Sequence, residues 1–141
     1  MQLYILDKEP SKSANLVPNK YKFKMLLELG QMISTLTNNG VYKPIKQGKE
    51  LVCWIGKHKS WTRIYFETLL RWSENNINMK YETREKLLKI YESLTEDGHT
   101  EPEVAYFRYK EGYPSNIPSK SLLDIDRCII NYQNYLDWKL K

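Results

Sequence analysis

Apolar positions along the chain change their period several times, and each change predicts a different element. The opening run LYIL, residues 3–6, is continuous, short and closed by DKEP, so an extended arm is expected there. Further on, Met25, Leu26, Leu29, Met32, Ile33 and Leu36 recur at helical spacing and form one stripe. Pro18-Asn19 signals the start of that first helix, with Asn19 as its expected N-cap, and Asn38-Asn39-Gly40 signals its end. LVCWIG, residues 51–56, reads as a short buried run after a basic connector. Ser60 is the expected N-cap of a second helix that turns inward either Trp61, Tyr65, Leu69 and Trp72 or Ile64 and Thr68. NNINMKY interrupts it, and ETREKLLKIYESL predicts a shorter, amphipathic third helix.

Residues 95–120 hold three of the six prolines and two of the six glycines, which predicts a long irregular loop with a short extended piece at VAYFRY. A loop of that length inside a compact domain tends to be functional or mobile. Ser121 and Asp124 offer a capping box, after which Leu122, Ile125, Ile129, Tyr132 and Leu136 mark a final helix. The pattern predicts an all-α, mainly helical fold: one compact single-domain bundle spanning residues 1–141, with long irregular loops.

Charge sharpens this picture. The net charge is +5, and its placement is uneven. Residues 1–60 carry ten lysines against four acids, whereas residues 61–141 carry twelve basic and thirteen acidic side chains. The whole excess sits in the first 60 residues, as in a polyanion-binding face. No run approaches the roughly 18 apolar residues of a membrane helix, so no membrane partner is expected. MQLYILDKEP lacks the basic and apolar regions of a signal peptide. Cys53 and Cys128 stand far apart and read as small buried thiols of a reducing compartment, so the cytoplasm is the expected location.

Candidate chemistry is sparse. There is no Gly-rich phosphate loop, no G-x-S-x-G elbow and no metal-ligand spacing, so neither metal nor organic cofactor is expected. Glu28 interrupts the apolar stripe of KMLLELGQM and falls at its edge on a helical wheel, beside Lys24, Gln31 and Thr35. A carboxylate at such a border is partly desolvated yet reachable, which suits acid–base work. The plainer account is a surface pair of Lys24 with Glu28, in the weaker orientation for such a pair. Lys57, His58, Lys59 and Arg63 gather where the second helix starts, a composition suited to phosphate. Its plainer account is a solvated loop. His99 reads as an exposed loop residue. Tyr132, Tyr135 and Trp138, near terminal lysines, suit either helix packing or stacking on bases.

Three segments, in order, carry a resemblance. NKYKFKMLLELGQMIS, WIGKHKSWTRIYFETLLRW and YPSNIPSKSLLDIDRCIINYQNYLDW resemble the first, second and last helices of the pyrimidine-dimer DNA glycosylases of phages and bacteria, the endonuclease V type. The resemblance implies an N-terminal arm threaded between the first and last helices. It also implies a DNA glycosylase and abasic-site lyase that acts on damaged or modified bases in duplex DNA through an imine on the N-terminal amine. Met1 would supply that amine and Glu28 the carboxylate. Lys20, Lys22, Lys24, Gln31, Lys57, His58, Lys59 and Arg63 would contact DNA. The implied molecule is a cytoplasmic monomer, in the host cytoplasm if phage-encoded, with double-stranded DNA as partner. The chain departs from the pattern at Tyr21, Leu27, Gln31, Lys49-Glu50 and Gln133, where relatives carry His, basic residues or a His-Pro pair. The alternative is a catalytically inactive DNA-binding or protein-inhibiting helical module of phage type.

Overall fold

A computed structural model describes residues 1–98 and 101–141; His99 lies outside the described residues. Six helices and one two-stranded antiparallel sheet make up the described chain: α1 (Pro10–Leu16), α2 (Asn19–Thr37), α3 (Lys49–Lys57), α4 (Lys59–Asn76), α5 (Tyr81–Ser93), β1 (Val104–Arg108), β2 (Lys120–Asp124) and α6 (Ile125–Lys139). The fold is mainly helical, and the all-α expectation is corrected by the β1–β2 ribbon. Among the described residues, no helix is long and apolar enough to cross a membrane.

The N-terminal arm organises the core. A strand covered on one face exposes every second side chain. Leu3, Tyr4, Ile5 and Leu6 are all buried, so the arm is enclosed on both faces. Among the described residues it has no sheet partner, and side chains bond two of its backbone groups instead. The Leu6 N–H donates to Ser13 Oγ of α1 at 2.8 Å, and the Tyr65 hydroxyl of α4 donates to the Tyr4 carbonyl at 2.8 Å. The Tyr4 ring packs against Tyr21 of α2 and edge-on against Tyr132 of α6. The arm therefore passes between α2 and α6. Burying each aliphatic side chain contributes about 1.5–3 kcal/mol, enough to offset the backbone ordering of about 1–2 kcal/mol per residue.

The helix carrying Glu28 forms as the stripe predicts, with Met25, Leu26, Leu29, Met32 and Ile33 buried. Its end is a left-handed Asn38, with φ 52°. Asn19 is the first helical residue rather than the cap; Pro18 holds the cap position, and the Asn19 side chain accepts from Lys22 Nζ at 2.7 Å. Of the two inward faces open to α4, the structure takes Trp61, Tyr65 and Leu69, while Ile64 lies exposed.

His58, not Ser60, holds the N-cap of α4, and the structure adds detail or corrections elsewhere. Residues 10–16 form a helix, α1, with Pro10 in its first turn; its buried Ser13 gives no apolar period to read. LVCWIG lies within helix α3, with left-handed Gly48 at its N-cap. The final helix begins at Ile125, not Ser121. Asp124 is its N-cap and accepts from the Arg127 N–H at 3.2 Å, while Ser121 sits in β2 opposite Phe107. The alternation of that strand turns Leu123 inward and leaves Leu122 53% exposed. Cys128 is buried and its thiol is pushed up to about 12, by burial first and Asp124 second. Cys53 is exposed, contrary to the expectation for both thiols.

Candidate active site

Glu28 lies half-buried in a small cleft with Gln2 and Tyr4 from the arm, Tyr21, Lys24 and Met25 from α2, and Lys139 from α6. Among the described residues no ion pair closes on Glu28, so the plain surface pair with Lys24 is not formed. The cleft holds about 20 Å³, room for about one water. Lys139 donates to the Tyr4 hydroxyl at 3.3 Å, and its ammonium lies 4.6 Å from the centre of the Tyr21 ring. Lys20 sits over the same ring at 5.1 Å. Burial, with Lys110 and Lys24 nearby, lowers the pKa of Lys139 below the usual lysine value, and Glu28 opposes this.

Met1 precedes Gln2 at the tip of the arm. Gln2 lines the Glu28 cleft, while Met1 lines a second, larger cavity of about 220 Å³. The arm's tip thus separates two hollows. Two hydrogen bonds to Arg108 hold the arm's tip there, against the bare backbone of Gly48. The Met1 Cβ lies 3.4 Å from where a Cβ would stand on Gly48, its carbonyl accepts from the Arg108 guanidinium at 3.3 Å, and Gln2 Nε2 donates to the Arg108 carbonyl at 2.8 Å. Gly48 has φ 81°, a conformation in which glycine costs nothing and a side chain does. The Met1 α-amine lies within the electrostatic influence of Glu28, Arg108, Lys120 and Glu50. Burial lowers its pKa below the usual 8.0; Arg108 and Lys120 lower it further, and Glu28 and Glu50 pull it back up. A depressed amine keeps a larger neutral, nucleophilic fraction near neutral pH.

The other sequence-predicted contacts are distributed differently. Lys24 is exposed at the Glu28 cleft, and Lys20 is exposed over the Tyr21 ring that lines it. Lys22 is turned away: it is only 5% exposed, lies 5.2 Å from the centre of the Trp72 ring, and burial depresses its pKa. That placement engages its ammonium within the chain, on Trp72 and Asn19. Gln31 lines a separate groove between α2 and α5 with Phe23, Leu27 and Tyr42. Lys57, His58, Lys59 and Arg63 do gather at the α3–α4 junction, but much of their binding capacity is taken within the chain. The N-terminus of α4 is occupied by Asp97, whose carboxylate accepts from the Lys59 and Ser60 N–H groups at 2.9 and 3.0 Å. Arg63 pairs with Glu96 at 3.2 Å and stacks 4.2 Å over Tyr91. His58 stacks on Trp54, and its Nδ1 is 2.8 Å from the Trp54 carbonyl. In the tail, Tyr132 and Tyr135 are core residues, so stacking on bases is open only to the exposed Trp138.

Sequence reasoning missed Arg108, Lys120, Lys110 and Lys139, which lie in the acidic half of the chain. Period-2 alternation in VAYFRY was the only signal for Arg108. Its position beside Met1 follows from Tyr132, whose hydroxyl accepts from the Arg108 N–H at 3.2 Å and donates to the Tyr106 carbonyl at 2.9 Å, fastening β1 to α6. Among the described residues no group of three or more His, Cys, Asp and Glu side chains converges. Compared with protein-family models, curated proteins and solved structures, the chain matches none.

Proposed function

We propose that the protein is a DNA glycosylase and abasic-site lyase acting on a damaged or modified base in duplex DNA. One observation carries this reading: Gln2, the residue after Met1, lines the Glu28 cleft at the tip of an arm packed between Tyr21 of α2 and Tyr132 of α6. Cations from four places surround Met1 and Glu28: Lys20 and Lys24 on α2, Arg108 on β1, Lys120 on β2, and Lys139 on α6. Such a ring suits a phosphodiester backbone.

The chemistry follows from those groups. The neutral amine donates its lone pair to C1′ of an extruded nucleotide. The new N–C1′ bond forms as the glycosidic bond breaks, and the base departs with a proton. Opening of the sugar ring gives an iminium on Met1. Glu28 stabilises that cation and accepts the C2′ proton, whose loss expels the 3′ phosphate and cuts the strand. Extrusion is cheapest at a damaged or mismatched base. Borohydride reduction in the presence of a duplex with an abasic site tests the reading: a covalent adduct on the Met1 nitrogen supports it, and native protein that forms no adduct overturns it.

The small volume of the Glu28 cleft favours a second reading, a catalytically inactive DNA-binding or protein-inhibiting module, because the cleft admits a water but no sugar. That reading predicts salt-dependent DNA binding untouched by Glu28→Gln, or no DNA binding, with no adduct in either case.

A further inference from the structure

The β1–β2 ribbon has two outer edges, and the chain engages only one of them. Along an antiparallel pair, residues that exchange main-chain hydrogen bonds alternate with residues that turn theirs outward. The Tyr109 N–H donates to the Ser119 carbonyl and the Ile125 N–H to the Glu103 carbonyl, which fixes the alternation. Even-numbered residues of both strands therefore present their N–H and C=O groups to the outside. On β1 those groups are taken. Trp54 Nε1 donates to the Val104 carbonyl, the Tyr132 hydroxyl to that of Tyr106, and Gln2 Nε2 to that of Arg108, whose own N–H donates to Tyr132. On β2, no hydrogen bond among the described residues reaches the outward main-chain groups of Lys120 or Leu122. The two-residue repeat puts Lys120, Leu122 and Asp124 on one face, all exposed, with Ser121 and Leu123 on the other. Lys120 closes no ion pair among the described residues, and Asp124 has only a long one, 3.9 Å from Arg127.

Lysines on a free edge ordinarily deter an incoming strand. Here the order along the edge, positive then apolar then negative, is its own complement when a second copy runs antiparallel. We propose that β2 pairs edge to edge with β2 of a second copy of this chain, about a two-fold axis at Leu122. In that register Leu122 faces Leu122, and each Lys120 faces the Asp124 of the other copy. The Leu122 pair exchanges N–H···O bonds in both directions, and each Asp124 N–H meets the facing Lys120 carbonyl. Opposite charges in direct cross-strand pairs stabilise a sheet, whereas Lys120 stands opposite Arg108 in the lone chain, a like-charge pair that the same rule disfavours. The Asp124 of the second copy answers that repulsion. An isologous contact closes after two copies, so the two-stranded ribbons join in one sheet and build no filament. So short a seam makes a weak, concentration-dependent contact rather than a permanent one. The pairing departs from the monomer that the resemblance implies, and it does not depend on the excision chemistry.

The test is sedimentation velocity of the full chain over a micromolar-to-millimolar concentration series, with amide hydrogen exchange measured on the same samples. A reversible monomer–dimer equilibrium is expected, and exchange at the Leu122 and Asp124 amides should slow in step with the dimer. Leu122→Pro removes an N–H that the β1 ladder does not use, a position where an edge strand accepts proline. It is expected to raise the dimer Kd about tenfold, as loss of a main-chain hydrogen bond from each copy gives. Lys120→Glu sets like charges face to face and is also expected to weaken the dimer; should the proline variant fail to fold, this one decides alone. A chain that is monomeric at every concentration overturns the proposal, and an edge covered only by another protein's strand would give that result. A dimer that neither variant weakens, or one whose Leu122 and Asp124 amides exchange as fast as in the monomer, overturns it as well.

Discussion

The Tyr65 hydroxyl donates to the main-chain carbonyl of Tyr4 at 2.8 Å, joining the middle of α4 to the middle of the N-terminal arm in the core. Ser13 Oγ reaches the same carbonyl at only 3.4 Å. Tyr65→Phe keeps the ring and removes the better donor. Stability is expected to fall by about 1–2 kcal/mol, because a buried acceptor is left poorly satisfied. Urea unfolding monitored by tryptophan fluorescence measures it, and an unchanged midpoint would show that the arm does not depend on this bond.

Glu28 closes no ion pair among the described residues, so its charge contributes little to the fold. Glu28→Gln is expected to leave the thermal midpoint unchanged while lowering strand cleavage at an abasic site about 100-fold, the range for loss of a general base. Cleavage retained at the native rate would remove Glu28 from the reaction.

The Met1 amine has a pKa below 8.0, for which burial is the largest cause and Arg108 the next. Adduct yield on an abasic duplex should therefore rise with pH, with a midpoint below 8.0. Arg108→Gln takes away a charge that opposes protonation, so the midpoint should move to higher pH. The midpoint is the readout, since the yield also reflects DNA binding. A midpoint that stays put, or moves down, contradicts the placement of the guanidinium beside the amine.

Asp97 caps α4 from a distant loop. Burial pushes its carboxyl pKa up, but the Ser60 and Lys59 N–H groups and the Ser60 side chain outweigh this and hold it below the usual 3.8. A depressed folded pKa means that the stabilisation is fully present above the unfolded value and fades as pH falls through the folded one. Asp97→Ala should cost about 1 kcal/mol at pH 7, the worth of an N-cap. The gap between the two proteins should close below pH 3.8. Thermal melts across pH 2–7 follow it; a gap independent of pH would mean that the cap does not depend on the carboxylate's charge.

The two basic clusters should separate in a salt titration of DNA affinity. Removing one cation that neutralises a phosphate lowers the salt slope by about 1. Lys24→Ala and Lys139→Ala, at the Glu28 cleft, are expected to do so. Arg63→Ala is not, because Glu96 and Tyr91 already engage it. The reverse order would move the interface to the α3–α4 junction.

Sequence alone determined the elements whose side chains repeat with a clear period. The stripe Met25–Leu36 defined α2 and placed Glu28 at its border, and the spacing from Trp61 to Trp72 defined α4 while leaving two inner faces open. Both follow from local geometry, in which burial repeats every three to four residues. The composition of residues 95–120 likewise announced irregular chain with an extended piece. Short elements escaped because α1 buries a serine and α3 ends within nine residues, too few to show a period.

The site itself was decided by tertiary structure. Gln2 and Glu28 are 26 positions apart, and nothing local puts them in one cleft; Tyr65, Ser13 and Tyr132, from three other helices, enclose the arm that does. Arg108 and Lys120 become neighbours only through antiparallel register. Lys22 and Arg63 read as free cations in the sequence, yet folding spends one on Trp72 and Asn19 and the other on Glu96 and Tyr91. A charge is visible in the sequence, but its availability depends on the partners that long-range packing delivers.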